Sequence, residues 1–445
     1  MNLIRFNHWW RQSRVNTAFL GKPRKALKQI LPYLEKRQIL ILKGLRRVGK
    51  TTLLYQLIDY LINEKNILPY RLLYFSFDEI VEDIDEILQY YTREILREDL
   101  LKSKVKCYLF FDEIQKLENW PDKIKIIYDL YPNIKILISG SASLGVIKGA
   151  KESLAGRSFE FEIRPLDFGE FLKFRKVSYD EKRINIFKER LRQEFDLYLN
   201  NSGFIEMIDE DNLEIIRKYF KESIMERVVY RDIPEQFDIN NPNLLYRILY
   251  ILADKPGMLV EYKNIASDLK SDQRTIAQYF EYLKWCFLIK QLYRFSPNFL
   301  TSEKKLKKYY LAYPSITLAL RGEISPENKG RIIENLFVTQ TDGNFFYRSA
   351  SKEEVDIILD PQRISFLAEN IDYNEYKRIG IPLEVKYSNR ISARDLRGMK
   401  SFMKKYEVKR GYIISEDYEE ELIFDWGQIF IIPAWKFLLK MEFKI

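Results

Sequence analysis

The stretch from Gln38 to Lys65, QILILKGLRRVGKTTLLYQLIDYLINEK, constrains the fold of this chain more than any other. Its first residues form a short apolar run without polar alternation, which suits a strand buried on both faces of a parallel sheet. Leu54, Leu57, Ile58 and Leu61 then recur at helical spacing. Between strand and helix, Gly44, Gly49, Lys50 and Thr51 occupy the fixed places of the pattern G-x-x-x-x-G-K-[ST]. Such a loop cradles phosphate groups with backbone N–H donors, and glycine permits the turns and the close approach. Arg47, Val48 and Thr52 complete the expected cradle. Lys50 is expected to reach the terminal phosphates and Thr51 to hold Mg²⁺.

Three later segments extend the sheet. RLLYFSFDE reads as the next strand, KCYLFFDEIQ as a strand ending in Asp112 and Glu113, and IKILISGSAS as a strand running out into Ser139 and Ser141. An acidic pair at a strand tip about 60 residues after a phosphate loop is the arrangement that anchors a metal through one carboxylate and orients water with the other. Asp112 takes the first role and Glu113 the second. A polar sensor for the terminal phosphate is expected at the next strand tip, Ser141 ahead of Ser139.

Histidine and cysteine counts exclude much other chemistry. His8 is the only histidine, which argues against histidine-based nucleophilic triads, and the two cysteines, Cys107 and Cys286, have no CxxC neighbour for a zinc site. Both read as core residues. No run of apolar residues is long enough to span a bilayer and the N-terminus has no secretory h-region, so a cytoplasmic protein without a membrane partner is expected. Across 445 residues, length alone suggests about three domains.

GLRRVGKTTLL, YLFFDEIQKLENW, ILISGSAS and LAGRSFEFEIRPLDFGEF together resemble the archaeal and bacterial AAA-superfamily ATPases that carry a C-terminal domain of uncharacterised function. The resemblance implies ATP as the nucleotide, Mg²⁺ as its cation and a helical lid after the nucleotide domain. It also implies a homo-oligomer in which an arginine of one subunit completes its neighbour's site. Arg157, in LAGR, fits that arginine or a structural ion pair equally well.

The formal charge of +9 is uneven: residues 241–310 hold twelve Lys and Arg against six Asp and Glu. In the same region three amphipathic helices precede the β-like FLIKQLYRF, the pattern of a winged helix-turn-helix with Asp272 to Trp285 as recognition helix. Gln273, Arg274, Thr275 and Gln278 would face a major groove, and Lys304, Lys305, Lys307 and Lys308 would add a basic patch for DNA. A protein-binding winged helix in a nucleotide-switched regulator is the alternative. Further on, Glu334 lies in a helix, Asp356 in a hairpin strand, and Glu384 and Lys386 on one face of the strand IPLEVKY. Those four residues resemble the active site of PD-(D/E)xK nucleases, which implies a second Mg²⁺ or Mn²⁺ there.

The expected architecture is therefore α/β. It comprises a P-loop NTPase domain with an AAA/ASCE-type parallel sheet (1–165), a helical lid (166–240), a winged helix-turn-helix (241–298) and a restriction-endonuclease-like α/β domain (299–445).

Overall fold

The apolar runs of the N-terminal third pair as a single parallel sheet in the computed structural model, which describes residues 3–78, 82–141, 150–323, 326–360 and 379–440. Its strands are β1 (Ile39–Lys43), β2 (Leu72–Ser76), β3 (Cys107–Asp112), β4 (Ile134–Gly140) and β5 (Ser158–Glu162), in the order β2-β3-β4-β1-β5. Every pairing is parallel. Strands β2, β3 and β4 are buried along their whole length, as continuous apolar runs require. Because β4 lies between β1 and β3, the glycine loop and the Asp112–Glu113 tip emerge on the same sheet edge about 10 Å apart, two strand spacings.

The edge strand β2 is covered by the N-terminal segment. The Asn7 side chain donates to the Tyr74 carbonyl at 2.9 Å and accepts from the Tyr74 N–H at 2.7 Å. The indole N–H groups of Trp9 and Trp10 both donate to the Leu72 carbonyl. Side chains thus satisfy backbone groups that an open edge would expose to another chain. His8 serves locally too, accepting from the Asn16 N–H at 2.7 Å.

The chain divides into two units, Met1–Pro165 and Leu166–Lys444. In the second, nine strands form one continuous sheet in the order β13-β14-β12-β11-β10-β9-β7-β8-β6. The strands are β6 (Met258–Val260), β7 (Ile289–Arg294), β8 (Lys307–Leu311), β9 (Phe345–Arg348), β10 (Glu354–Leu359), β11 (Ile381–Val385), β12 (Arg410–Ser415), β13 (Glu420–Phe424) and β14 (Gly427–Pro433). Helix Pro242–Asp254 precedes β6, helices Tyr262–Leu269 and Gln273–Trp285 follow it, and β7 and β8 then complete the antiparallel trio β6-β8-β7, in which β7 also pairs in parallel with β9. The boundary expected between residues 298 and 299 consequently falls within the β7–β8 connection.

A second difference concerns residues 166–240. Phe168, Phe171, Leu191, Phe195 and Tyr198 share one apolar core with Phe337, Ile413, Trp435 and Phe437. The helices expected as a lid place these apolar side chains in a core of the second unit. Asp167 starts the first of them, Phe168–Phe174, with a capping box to Glu170.

Candidate functional site

The loop after β1 has the geometry its glycines foretell. Gly49 caps the helix Lys50–Asn63 with φ of 91°, a left-handed conformation that glycine adopts without strain. A Cβ on Gly44 would meet the Ile163 carbonyl oxygen at 2.2 Å. The backbone therefore passes too close to its neighbour for any side chain. The helix N-terminus begins at this loop, a favourable place for anionic oxygens.

Lys50 is buried, its ammonium within 3.1 Å of the Gly44 carbonyl and 3.2 Å of that of Leu45. The Thr51 hydroxyl donates to Asp112 Oδ2 at 2.6 Å, and the Tyr74 hydroxyl donates to the same oxygen at 3.0 Å. Burial, then the Asp112 charge, lifts the Tyr74 pKa well above its ordinary value, so the phenol stays a donor. Ser139, fully buried, donates to Asp112 Oδ1. Two hard oxygen donors, Thr51 and Asp112, thus stand together beside a buried ammonium, a set suited to Mg²⁺ with a phosphate.

Glu113 turns out of the strand in a left-handed conformation with φ of 52°. Gln115 Nε2 donates to Glu113 Oε2 at 2.5 Å, while Gln115 Oε1 accepts from the Ser141 N–H at 3.3 Å. Gln115 therefore links the tips of β3 and β4. Of the two serines considered for a sensor, Ser139 contacts Asp112 through its hydroxyl, and Ser141 contacts Gln115 through its backbone.

Arg157 is not brought to this group. It forms a two-pronged pair with Asp129, at 3.0 and 3.2 Å, and its carbonyl accepts from the Ile39 N–H at the start of β1. The glycine loop leaves from the other end of that strand, about 16 Å away at strand rise.

In the second unit, Glu334, Asp356, Glu384 and Lys386 do converge. The β10–β9 ladder shifts register between Val355 and Ile358, the span that contains Asp356. Asp356 Oδ2 accepts from the Val385 N–H at 2.8 Å, Glu384 Oε2 accepts from the Asp356 N–H at 3.2 Å, and Lys386 pairs with Glu384 Oε1 at 2.8 Å. Sequence reasoning missed the rest of the cluster. Tyr310 donates to Glu334 Oε1 at 2.5 Å, and Lys308 lies beside Glu334, Glu354 and Asp356. Lys308 had been expected on an exposed basic patch; it is 5% exposed. The signal was the period of two in LKKYYL, which puts Lys308 and Tyr310 on one face of β8.

Burial, then Asp356, raises the Glu334 pKa to about 7, and the same causes raise that of Glu384 well above the ordinary range. Burial opposes the charge on Lys308, but Glu334, Asp356 and Glu354 outweigh it and keep the ammonium protonated. Among the described residues, no three His, Cys, Asp or Glu side chains are disposed to hold a metal ion. The donor set resembling a nuclease centre therefore does not fit a divalent cation as arranged.

The parallel sheet, the phosphate loop and the acidic tip of β3 define a P-loop ATPase domain of the AAA class. A family model for an AAA domain matches residues 36–172. Two further models, each for a domain of unknown function, match residues 188–327 and 330–437. Two uncharacterised proteins of Methanocaldococcus jannaschii are similar over almost the whole chain. One is 28% identical over 419 residues, covering 90% of this chain and 88% of the relative. The other is 27% identical over 431 residues, covering 91% and 85%. A Walker-type ATPase of Pyrococcus abyssi is 17% identical with a TM-score of 0.41, covering 69% of this chain and 98% of that structure, a likeness too slight to argue from.

Proposed function

We propose that this protein is a magnesium-dependent ATPase that acts on DNA. The observation carrying the first half is the convergence of Lys50, Thr51, Asp112 and Ser139 at the ends of β1, β3 and β4. Lys50 binds the β- and γ-phosphates and neutralises charge that develops on the transferred group. Thr51 and Asp112 would hold the magnesium ion, which when bound screens the phosphate oxygens and acts as a Lewis acid. Glu113, oriented by Gln115, accepts the hydrogen bond of the attacking water and aims it at phosphorus. Ser139 fixes the Asp112 carboxylate so that the other oxygen remains with Thr51.

The DNA reading rests on the helix Gln273–Trp285. Asp272 caps it, accepting from the Arg274 and Thr275 N–H groups, and Gln273, Arg274 and Gln278 are exposed along its outer face. Three helices, with β6 after the first and β7 and β8 after the third closing an antiparallel trio, support a winged helix-turn-helix whose recognition helix carries these groups. The Thr275 hydroxyl is engaged by Asp272 and adds nothing to a groove contact. In a homo-oligomer, Arg157 would serve a neighbouring subunit's phosphates rather than its own. A nucleotide-switched regulator with a protein partner is the second reading. It is favoured by Phe299 and Leu300, 56% and 70% exposed in the β7–β8 connection.

ATP turnover measured with and without duplex DNA separates the readings. Stimulation by DNA that is lost in Arg274→Ala supports DNA action; turnover indifferent to DNA supports the regulator. A Lys50→Ala protein that hydrolyses ATP like the original overturns both.

A further inference from the structure

The acidic cluster of the second unit already contains a cation, and it comes from the chain itself. Lys308 extends from β8 to within 3.6 Å of Glu334 and 4.0 Å of Asp356, and it pairs more closely still with Glu354. Its ammonium also lies over the Phe346 ring, 5.3 Å from the centroid. From the geometry we infer that Lys308 is the resident cation of this cluster, standing where a nuclease-type centre would hold a divalent metal, and that the second unit neither binds such a metal there nor cleaves nucleic acid.

Three observations carry the inference. First, both oxygens of Glu384 and one oxygen each of Glu334 and Asp356 are already engaged by the chain. Tyr310 donates to Glu334, the Val385 N–H to Asp356, the Asp356 N–H to Glu384, and Lys386 pairs with the other Glu384 oxygen. A magnesium or manganese ion requires several oxygens turned toward one point, and here they face separate donors. Second, an incoming divalent ion would meet the ammonium of Lys308 at close range, where like charges in a buried site repel strongly. Third, Lys308 cannot simply swing aside. It is on a strand paired on both sides, to Leu259 of β6 and Leu292 of β7, and its side chain is 7% exposed.

The same contacts give the lysine a structural role. It ties β8, in the antiparallel trio, to Glu354 and Asp356 on β10 and to Glu334 on the helix Pro326–Gln340. The segment that bears the proposed recognition helix is thereby joined to the C-terminal sheet by charge as well as by the β7–β9 ladder.

The test uses the full-length chain with Asp112→Asn throughout, so that the first unit offers no divalent site and the result does not depend on ATP hydrolysis. Manganese alone is titrated by electron paramagnetic resonance against the parent, Lys308→Ala and Glu384→Gln. The parent and Glu384→Gln should bind manganese equally weakly, whereas Lys308→Ala should bind about tenfold more tightly or better, because removing the ammonium leaves uncompensated carboxylates. Thermal unfolding of Lys308→Ala should also rise with millimolar manganese. Tight stoichiometric binding by the parent that Glu384→Gln abolishes would overturn the inference, and so would a folded Lys308→Ala that gains no affinity. Should Lys308→Ala not fold, the comparison of the parent with Glu384→Gln still decides: equal weak binding upholds the inference, and a loss in Glu384→Gln overturns it.

Discussion

Thr51 and Asp112, 61 residues apart in sequence, share a hydrogen bond of 2.6 Å in which the threonine hydroxyl donates to Oδ2. Each is a hard oxygen ligand at the mouth of the glycine loop, and neither can hold magnesium well alone. Thr51→Ala and Asp112→Asn are each expected to lower ATP turnover by about a hundredfold or more, as loss of a charge-stabilising group at a phosphoryl site does. Thr51→Ser keeps the hydroxyl and should remain within about tenfold of the original. Phosphate release at graded magnesium concentrations checks this. Near-normal turnover by Thr51→Ala would mean that the shared contact is only structural.

Gly44 makes the second prediction sharp, because the clash is with backbone. A methyl group there would sit 2.2 Å from the Ile163 carbonyl oxygen, and that carbonyl cannot rotate away like the end of a side chain. Gly44→Ala should force the loop off β5's continuation at a cost of about 1–3 kcal/mol, typical of overpacking a close contact. Nucleotide binding should weaken more than that of a control such as Gly330→Ala, whose added methyl meets only the Tyr387 Cβ at an ordinary 3.9 Å. Calorimetric titration with a non-hydrolysable ATP analogue provides the measurement.

Much of the first unit was legible because its signals are local. An unbroken apolar run, a glycine loop and a helical repeat are contiguous, and Asp112–Glu113 marks its own strand end. What escaped were groups whose role is set by strand order and strand length. Nothing near Tyr74 in sequence indicates that its hydroxyl meets Asp112, and LAGR gave no warning that Arg157 precedes β5 at the end of the sheet away from the loop. In the second unit the four-residue set Glu334, Asp356, Glu384 and Lys386 was visible from spacing, yet its cation was not. Sequence groups Lys308 with its neighbours as a surface lysine run, although β8 is buried from Lys308 to Leu311 and sends Lys308 to Glu354 on β10 and to Glu334 on the helix beyond it. Strand order is hidden in the same way at β7, which sequence places at the end of a small domain and which pairs with β9 in one continuous sheet.

Asn7 supplies a third prediction, on stability. Its fully buried amide closes two hydrogen bonds with the Tyr74 backbone and a third with the Leu3 carbonyl. Asn7→Ala would leave the Tyr74 N–H and C=O without those partners, at a cost of about 2–4 kcal/mol for two orphaned backbone groups. The denaturation midpoint in urea should fall with an unchanged slope. Asn7→Asp tests the mechanism further: it can still accept from the Tyr74 N–H, but when ionised it repels the Tyr74 carbonyl, so its deficit should shrink as pH falls and the carboxyl regains a proton. An Asn7→Asp protein as stable as the original at neutral pH would show that the edge strand does not depend on this clasp.

Glu334 provides a pH-dependent test of the second unit. The groups around it are Lys308 and Tyr310 on β8, Glu354 and Asp356 on β10, and Glu384 and Lys386 on and beside β11. Burial, then Asp356, raises its pKa from an ordinary 4.5 to about 7, against the opposing pull of Lys308 and Tyr310. A folded-state pKa above the unfolded one means that the native state holds the proton longer, so its contribution is fully present below about 4.5 and is lost as pH rises to about 7. Glu334→Gln carries no such proton and can still accept from Tyr310. Relative to the original, the variant should therefore gain stability as pH rises from 5 to 8, by on the order of 2 kcal/mol once sharing of the proton with its neighbours is allowed for. Chemical denaturation across that range, read as the difference between the two proteins, cancels the titration of distant carboxylates. A difference that stays flat from pH 5 to 8 would mean that Glu334 is ionised throughout, held so by Lys308, and that the cluster's missing protons reside on Glu384 instead.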